Sequence, residues 1–158
     1  MTLPPTVTCL GDSCLCWAFG QDLALATSQR VIAAYRQCQA AKLPGVRDLV
    51  PAYNTLAIHF DPLVTEATEL AQRLETVFSQ PPPVASAPVT CHRLPVCYDG
   101  PDLAELAQAK GLTVAEVIHR HTAASYTVAM IGFRPHFPYR LGLDPSLETP
   151  RRANPRTR

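Results

Sequence analysis

A proline-rich segment divides this sequence into two parts. The stretch SQPPPVASAPVT, residues 79–90, contains four prolines and no charged residue. Because proline lacks an amide hydrogen and fixes φ, such a stretch continues neither a helix nor the interior of a sheet. It is predicted to be a semi-rigid connector. We therefore expect a first domain over residues 1–80, a linker over 81–90 and a second domain over 91–158.

The first part predicts the same order of elements twice. TVTCL and SCLCWAF flank a Gly-Asp turn, which is typical of a β-hairpin, and apolar residues at helical spacing follow over residues 22–41. VRDLVPAY and TLAIHF then predict two strands, and residues 63–79 predict a second helix. Because two helices on one face of an antiparallel sheet bury both apolar stripes, we predict an α+β fold with a two-layer N-terminal domain, ββα repeated.

The second part predicts fewer strands. CHRLPVCY and SYTVAMIGF each predict one strand, and PDLAELAQAKG and TVAEVIHRHT predict helices. Asp102 is interpreted as the cap of the first helix, and Thr113 with Glu116 fits a capping box that opens the second. Only loop structure is predicted for the five prolines after Phe133. Since a sheet needs about three strands to be independently stable, this domain is expected to be incomplete.

Composition and charge argue against several classes of protein. A formal charge of +1 does not predict binding to nucleic acid or to a membrane surface. Neither a signal-peptide pattern nor an apolar run of roughly 18 residues is present, which predicts a cytoplasmic location. The six cysteines are expected to be reduced thiols there. Cys14 and Cys16 are separated by a single residue and the histidines do not form a matching second pair, so no metal site is predicted. Nothing local to the six cysteines suggests a nucleophile.

Separated stretches of the chain together resemble one family. In chain order they are GDSCLCWAFG, VPAYNTLAIHFDP, LPVCYDGPDLAELAQAKGLTVAEVIHRHTAASYTVAMIGFRPHFPY and GLDPSLETPRRANPRTR. The sequence resembles the family of 5-oxoprolinase B subunits, also called allophanate hydrolase subunit 1 or carboxyltransferase subdomain C/D, which includes the sporulation kinase inhibitor KipI. Members continue past the last stretch with a glycine-rich segment that completes a cyclophilin-like β-barrel. The resemblance implies that residues 91–158 are part of such a barrel, with the remainder missing.

The resemblance also implies a function. It points to the B subunit of an ATP-dependent hydrolase, a 5-oxoprolinase that converts 5-oxo-L-proline to L-glutamate with the help of A and C subunits. The chain has no phosphate loop and no GxGxxG motif, so no cofactor is expected on it alone, and ATP is expected in the assembled complex. The chain is not expected to be catalytic alone. Two alternatives stay open: a KipI-like inhibitor of a sensor histidine kinase, and a subunit related to allophanate hydrolase or urea carboxylase.

An incomplete barrel carries a further expectation about association. Its unpaired strand edges are templates for pairing with another chain. We therefore expect self-association, or pairing with a partner that supplies the missing strands.

Candidate site residues lie in the second part of the chain. His121 ends a predicted helix, where a protonated imidazole is favoured, and is a candidate acid/base; the alternative is a histidine that caps its own helix. Arg151 and Arg152 are catalytic candidates because a guanidinium suits an anionic centre, the alternative being a solvated surface segment. The candidates for binding substrate or a partner are Tyr98, Asp102, Phe133, Phe137, Tyr139 and Arg156.

One loop departs from the family pattern. The family commonly reads GFAPGFPYLGGLD where this chain reads GFRPHFPYRLGLD, so His136 stands in place of a glycine. Glycine permits positive φ and a close backbone approach, and histidine makes both costlier. The geometry of this loop is therefore expected to be strained.

Overall fold

The computed structural model describes residues 6–81 and 90–151, in which helices alternate with strands that pair antiparallel. Arg152, Arg156 and most of the predicted linker lie outside these residues. The elements, in chain order, are β1 (Thr6–Cys9), β2 (Cys14–Ala18), α1 (Leu25–Ala41), β3 (Val46–Pro51), β4 (Thr55–Phe60), α2 (Ala67–Ser79), α3 (Leu103–Lys110), α4 (Val114–Ala123), β5 (Thr127–Ile131), β6 (Pro138–Leu141) and a 3-10 turn (Pro145–Leu147).

Contacts group the described residues into two compact units. Those of Met1–Val89 and Val128–Leu141 form the first unit, and those of Thr90–Thr127 and Gly142–Arg158 form the second. No helix in the described parts of the chain is long and apolar enough to cross a bilayer.

The first unit is built on a four-stranded sheet in the order β1-β2-β4-β3. Strand, strand, helix occurs twice along the chain, as predicted. The register pairs Trp17 with Leu56 and Leu15 with Ile58, so alternate residues of the two central strands share one face. That face packs against residues of both helices, in a core formed by Leu15, Trp17, Phe19, Val31, Ala34, Cys38, Leu56, Ile58, Phe60, Leu70 and Leu74. Burying each large apolar side chain contributes roughly 1.5–3 kcal/mol.

The second unit has a much smaller core. Ala107, Val117 and Leu147 are its buried members, and three leucines of and after α3 pack around them. Gly111, in the left-handed conformation at φ 63°, ends α3. The predicted capping box of α4 is confirmed: the Thr113 hydroxyl accepts from the Glu116 amide at 3.2 Å, and the Glu116 carboxylate accepts from the Thr113 amide at 2.7 Å.

Three local predictions are wrong. The stretch CHRLPVCY forms no strand: Pro95 lacks an amide, and Leu94 and Val96 are 70% and 55% exposed. Asp102 occupies the N-cap position of α3 without a capping side-chain hydrogen bond, because its backbone is helical (φ −86°, ψ −8°) and not extended as in an N-cap. The segment after Phe133 contains a strand as well as loops, since β6 pairs with β5 in a two-stranded sheet.

Candidate functional site

Two of the predicted site residues, Tyr98 and His121, come together in the second unit. The Tyr98 hydroxyl lies 2.5 Å from His121 Nδ1, and the two rings meet edge to face with centroids 5.7 Å apart. The Tyr126 hydroxyl donates to the His121 carbonyl oxygen at 3.0 Å, and its ring centroid is 5.4 Å from that of the imidazole. His121 is therefore held by two tyrosine hydroxyls. The Tyr98 hydroxyl hydrogen-bonds to its ring, and the Tyr126 hydroxyl hydrogen-bonds to its main-chain oxygen.

A cavity of about 270 Å³ adjoins this pair. Tyr98 and Asp102, both predicted to bind substrate or a partner, line it, and Leu103 and Leu106 supply an apolar wall. A phenol can donate or accept a hydrogen bond, whereas an ionised carboxylate only accepts. The pocket therefore presents hydrogen-bonding groups beside an apolar wall.

Phe133, Phe137 and Tyr139, three of the residues predicted to bind substrate or a partner, form a second cluster in the hairpin of β5 and β6. Residues 128–141 of this hairpin belong to the first unit. The centroid of Tyr139 lies 5.2 Å from that of Phe137 and 6.2 Å from that of Tyr53, and Phe137 lies 5.8 Å from Phe133. Phe133 and Phe137 are 76% and 44% exposed. We call Tyr53, Tyr139, Phe137 and Phe133 the ring ladder. Exposed aromatic groups of this kind are typical of interaction surfaces; a binding role for them stays a prediction.

The loop that carries this ladder contains two residues at positive φ. Phe133 and His136 both have φ 63°, a conformation that costs a residue with a side chain about 1–2 kcal/mol. The Phe137 amide donates to the Arg134 carbonyl oxygen at 3.1 Å, which closes the loop over His136. The strain expected at His136 is therefore present in the backbone.

Of the predicted arginines, only Arg151 lies within the described residues, and no described contact brings it to the Tyr98–His121 pair. Arg151 is exposed. In residues 6–81 and 90–151, no group of three or more His, Cys, Asp or Glu side chains could hold a metal ion.

A cysteine–histidine contact was missed by sequence reasoning. Cys14 lies opposite His59 in the register of β2 and β4, and its Sγ is 4.0 Å from His59 Nε2. The two residues meet only because of the register between the strands, and residue spacing along the chain does not predict that register. Burial raises the pKa of the Cys14 thiol, so the pair holds a neutral thiol and not an activated nucleophile.

A second cavity, in the first unit, was also missed. It has a volume of about 250 Å³ and is lined by Tyr35, Gln39, Lys42 and Arg47 among others. Arg47 pairs with Asp61 at 2.6 Å, and the Leu63 amide and the Arg47 side chain together lower the pKa of Asp61. The charges of Lys42 and Arg47 on either side of the Pro44-Gly45 turn were the signal available in the sequence.

Comparisons with known proteins cover nearly the whole chain. The profile of the family described as carboxyltransferase domain, subdomain C and D, matches residues 5–158. The 5-oxoprolinase B subunit of Bacillus subtilis (strain 168) is 30% identical over 173 residues, covering 99% of this chain and 70% of that protein. The protein of the same name from Haemophilus influenzae is 36% identical over 133 residues, covering 82% of this chain and 61% of that protein.

Solved structures share the fold. The crystal structure of TTHA0988 matches 91% of this chain with a TM-score of 0.74 and 30% identity, and the match covers 27% of that larger chain. The urea carboxylase of Kluyveromyces lactis matches 92% of this chain and 16% of its own, with a TM-score of 0.65 at 15% identity, which shows a common fold alone. This chain thus corresponds to about a quarter of TTHA0988 and to about two thirds of the curated relatives. The chain belongs to the carboxyltransferase domain, subdomain C and D, family.

Proposed function

We propose that this chain is the B subunit of an ATP-dependent 5-oxoprolinase, which acts with A and C subunits to convert 5-oxo-L-proline to L-glutamate. The observation that carries the proposal is 30–36% identity to proteins named as 5-oxoprolinase B subunits, over 82–99% of this chain. A protein of this kind is not catalytic alone. ATP is bound in the assembled complex, and the complex is cytoplasmic.

The chemistry of the reaction suits the cavity of the second unit. A lactam is a stable amide, and phosphorylation of its oxygen creates a leaving group. The ring nitrogen must gain protons as the ring opens, so an acid/base group has to stand close to it. The phenol of Tyr98 and the carboxylate of Asp102, set beside Leu103 and Leu106, provide such a place. Positive charge for the anionic centre would come from Arg151, Arg152 and Arg156.

The same proposal includes the fold of the second region. Residues 91–158 are the first part of a cyclophilin-like barrel, whose other strands lie in the remaining length of the relatives. Two facts support it: this chain spans 70% of the Bacillus subtilis protein, and β5 and β6 form a sheet of two strands only among the described residues.

A second candidate function is favoured by the ring ladder. A KipI-like inhibitor binds a sensor histidine kinase and performs no chemistry, so it needs an exposed recognition surface. Phe133 and Phe137 supply such a surface. In this case the Tyr98–His121 pair has only a structural role.

Reconstitution tests the proposal. This chain, and a chimera that carries the remaining length of its Bacillus subtilis relative after Arg158, are each mixed with the A and C subunits of that organism's 5-oxoprolinase. We expect phosphate release that depends on 5-oxo-L-proline from the chimera. No release from the chimera, under conditions where the native Bacillus subtilis protein is active, would contradict the proposal; binding of the chimera to a histidine kinase would then favour the second candidate.

A further inference from the structure

We infer that Tyr98, and not His121, is the acid/base residue that meets the substrate, and that His121 stands behind it as the acceptor of the phenolic proton. The inference deepens the proposed function and rests on it for the identity of the substrate. It reverses the roles that the sequence predicts for the two residues.

The position of the cavity carries this assignment. Among the described residues, its lining includes Tyr98 and Asp102 but not His121. His121 Nδ1 lies 2.5 Å from the Tyr98 hydroxyl. A group that touches the ligand and a second group that touches only the first are the two parts of a proton relay.

The surroundings of His121 fix its orientation for this role. Tyr126 donates to the main-chain oxygen of His121 and packs beside its ring. With the Tyr98 hydroxyl as donor, Nδ1 bears no proton, and Nε2 carries the proton of the neutral ring. His121 is therefore a positioning residue and proton acceptor for Tyr98.

The proton balance of the reaction closes through this relay. As water attacks the phosphorylated carbonyl carbon, a new C–O bond forms, and the proton lost by water passes to the Tyr98 oxygen while the phenolic proton moves to His121 Nδ1. His121 is then an imidazolium. As the C–N bond of the ring breaks, its electron pair leaves with the nitrogen, Tyr98 gives its proton to that nitrogen and recovers one from the imidazolium, and the new hydroxyl group loses its proton to solvent as the carbonyl re-forms. The product of this step is an acyl phosphate, which a second water molecule hydrolyses to the side-chain carboxylate of L-glutamate and inorganic phosphate. The relay returns to its starting state without any other reactant than water and the phosphoryl donor.

Kinetics of the reconstituted complex test the roles. Tyr98→Phe keeps the ring and removes the hydroxyl, so kcat should fall about 100- to 10,000-fold while KM changes less than about threefold. His121→Asn keeps a neutral hydrogen-bonding group that does not take up a proton, and kcat should fall at least about 100-fold. Tyr35→Phe is the matched control in the first unit, where the hydroxyl accepts from Gln39 at 2.7 Å; activity should not change. Full activity of Tyr98→Phe overturns the inference and leaves the proposed function intact.

Nitrogen NMR on the chain itself gives a second readout that does not need turnover. We expect His121 Nδ1 to be unprotonated and Nε2 protonated, and we expect Tyr98→Phe to move the Nδ1 resonance of His121 while the other four histidines stay in place. A proton on Nδ1, or a resonance that does not respond to Tyr98→Phe, overturns the inference. An inactive complex with the unsubstituted chain defeats the proposed function instead, and the NMR result still decides whether Tyr98 gives its proton to His121.

Discussion

The two units differ in how much apolar surface they bury. In the first, Leu56, Ile58, Leu70 and Leu74 are fully buried and Phe60 is 1% exposed. In the second, the buried apolar residues of the cluster are few and include an alanine. The second unit nevertheless holds the Tyr98–His121 pair. Regions with small cores open more readily, and binding sites are drawn from them. This difference places most of the buried core in the first unit, and ligand chemistry in the second unit stays a prediction.

The cavities of the two units differ in chemistry more than in size. Their volumes are about 250 and 270 Å³. The cavity of the first unit presents Lys42 and Arg47, which suit an anion. The cavity of the second presents Tyr98 and Asp102 beside leucines, groups that can hydrogen-bond to an amide N–H. Because 5-oxo-L-proline carries both an amide and a carboxylate, the unit whose resonances it shifts reports which of the two cavities binds it.

The largest effect is expected from the core of the first unit. Leu74→Ala removes a fully buried side chain and should lower the free energy of unfolding by about 2–5 kcal/mol. Urea unfolding, followed by the fluorescence of Trp17, the single tryptophan, measures it. Leu63→Ala is the control, since Leu63 is 95% exposed and should change stability by less than about 0.5 kcal/mol. Equal losses in the two variants would contradict the assignment of the core.

Removing a core side chain from the second unit should cost less stability, and the effect should be confined to that unit. Leu147→Ala opens the cluster with Ala107 and Val117, at a cost of about 2 kcal/mol. Hydrogen exchange should show lost protection in α3 and α4, with the fluorescence of Trp17 unchanged. Leu143→Ala, at a 45% exposed position, is the control. Simultaneous loss of protection in the sheet of the first unit would show that stability is not divided in this way.

The capping box gives a third, weaker test within the second unit. Thr113→Ala should destabilise α4 by about 1 kcal/mol, whereas Thr122→Ala in its last turn should have a smaller effect. Hydrogen bonds from the Thr113 amide and hydroxyl lower the pKa of Glu116. The contribution of its carboxylate is therefore fully present above the ordinary glutamate pKa and is lost as pH falls through the lower folded value. Exchange protection of α4 should decline in that acidic range, and constant protection there would contradict the role of Glu116.

The smallest effect is expected in the strained loop. His136→Gly relieves the cost of positive φ but adds freedom to the unfolded chain, so a gain of a few tenths to about 1 kcal/mol is expected. Thermal unfolding measures it. His119→Gly, within α4, should instead reduce stability slightly. A loss of stability in His136→Gly would mean that the histidine side chain contributes more than its backbone costs.

Most helices and strands of the fold can be predicted from short-range sequence patterns, whereas the contact at the candidate site cannot. Periodicity predicts the strand and helix pattern of the first unit, Gly111 predicts the C-terminal end of α3, and Thr113 predicts the start of α4. The contact between Tyr98 and His121 joins residues 23 positions apart, and one of them lies in an extended segment without periodicity. Strand β6 was missed because its first residue, Pro138, counts against a strand except at such an edge position.

The most direct test of where the chemistry lies is an NMR titration of this chain with 5-oxo-L-proline. We expect chemical-shift changes confined to the second unit, at Tyr98, Asp102, Leu103, Leu106 and His121, which surround or adjoin its cavity. Changes at Lys42 and Arg47 in the first unit, with the Tyr98 and His121 resonances unmoved, would contradict the assignment of substrate binding to the second unit.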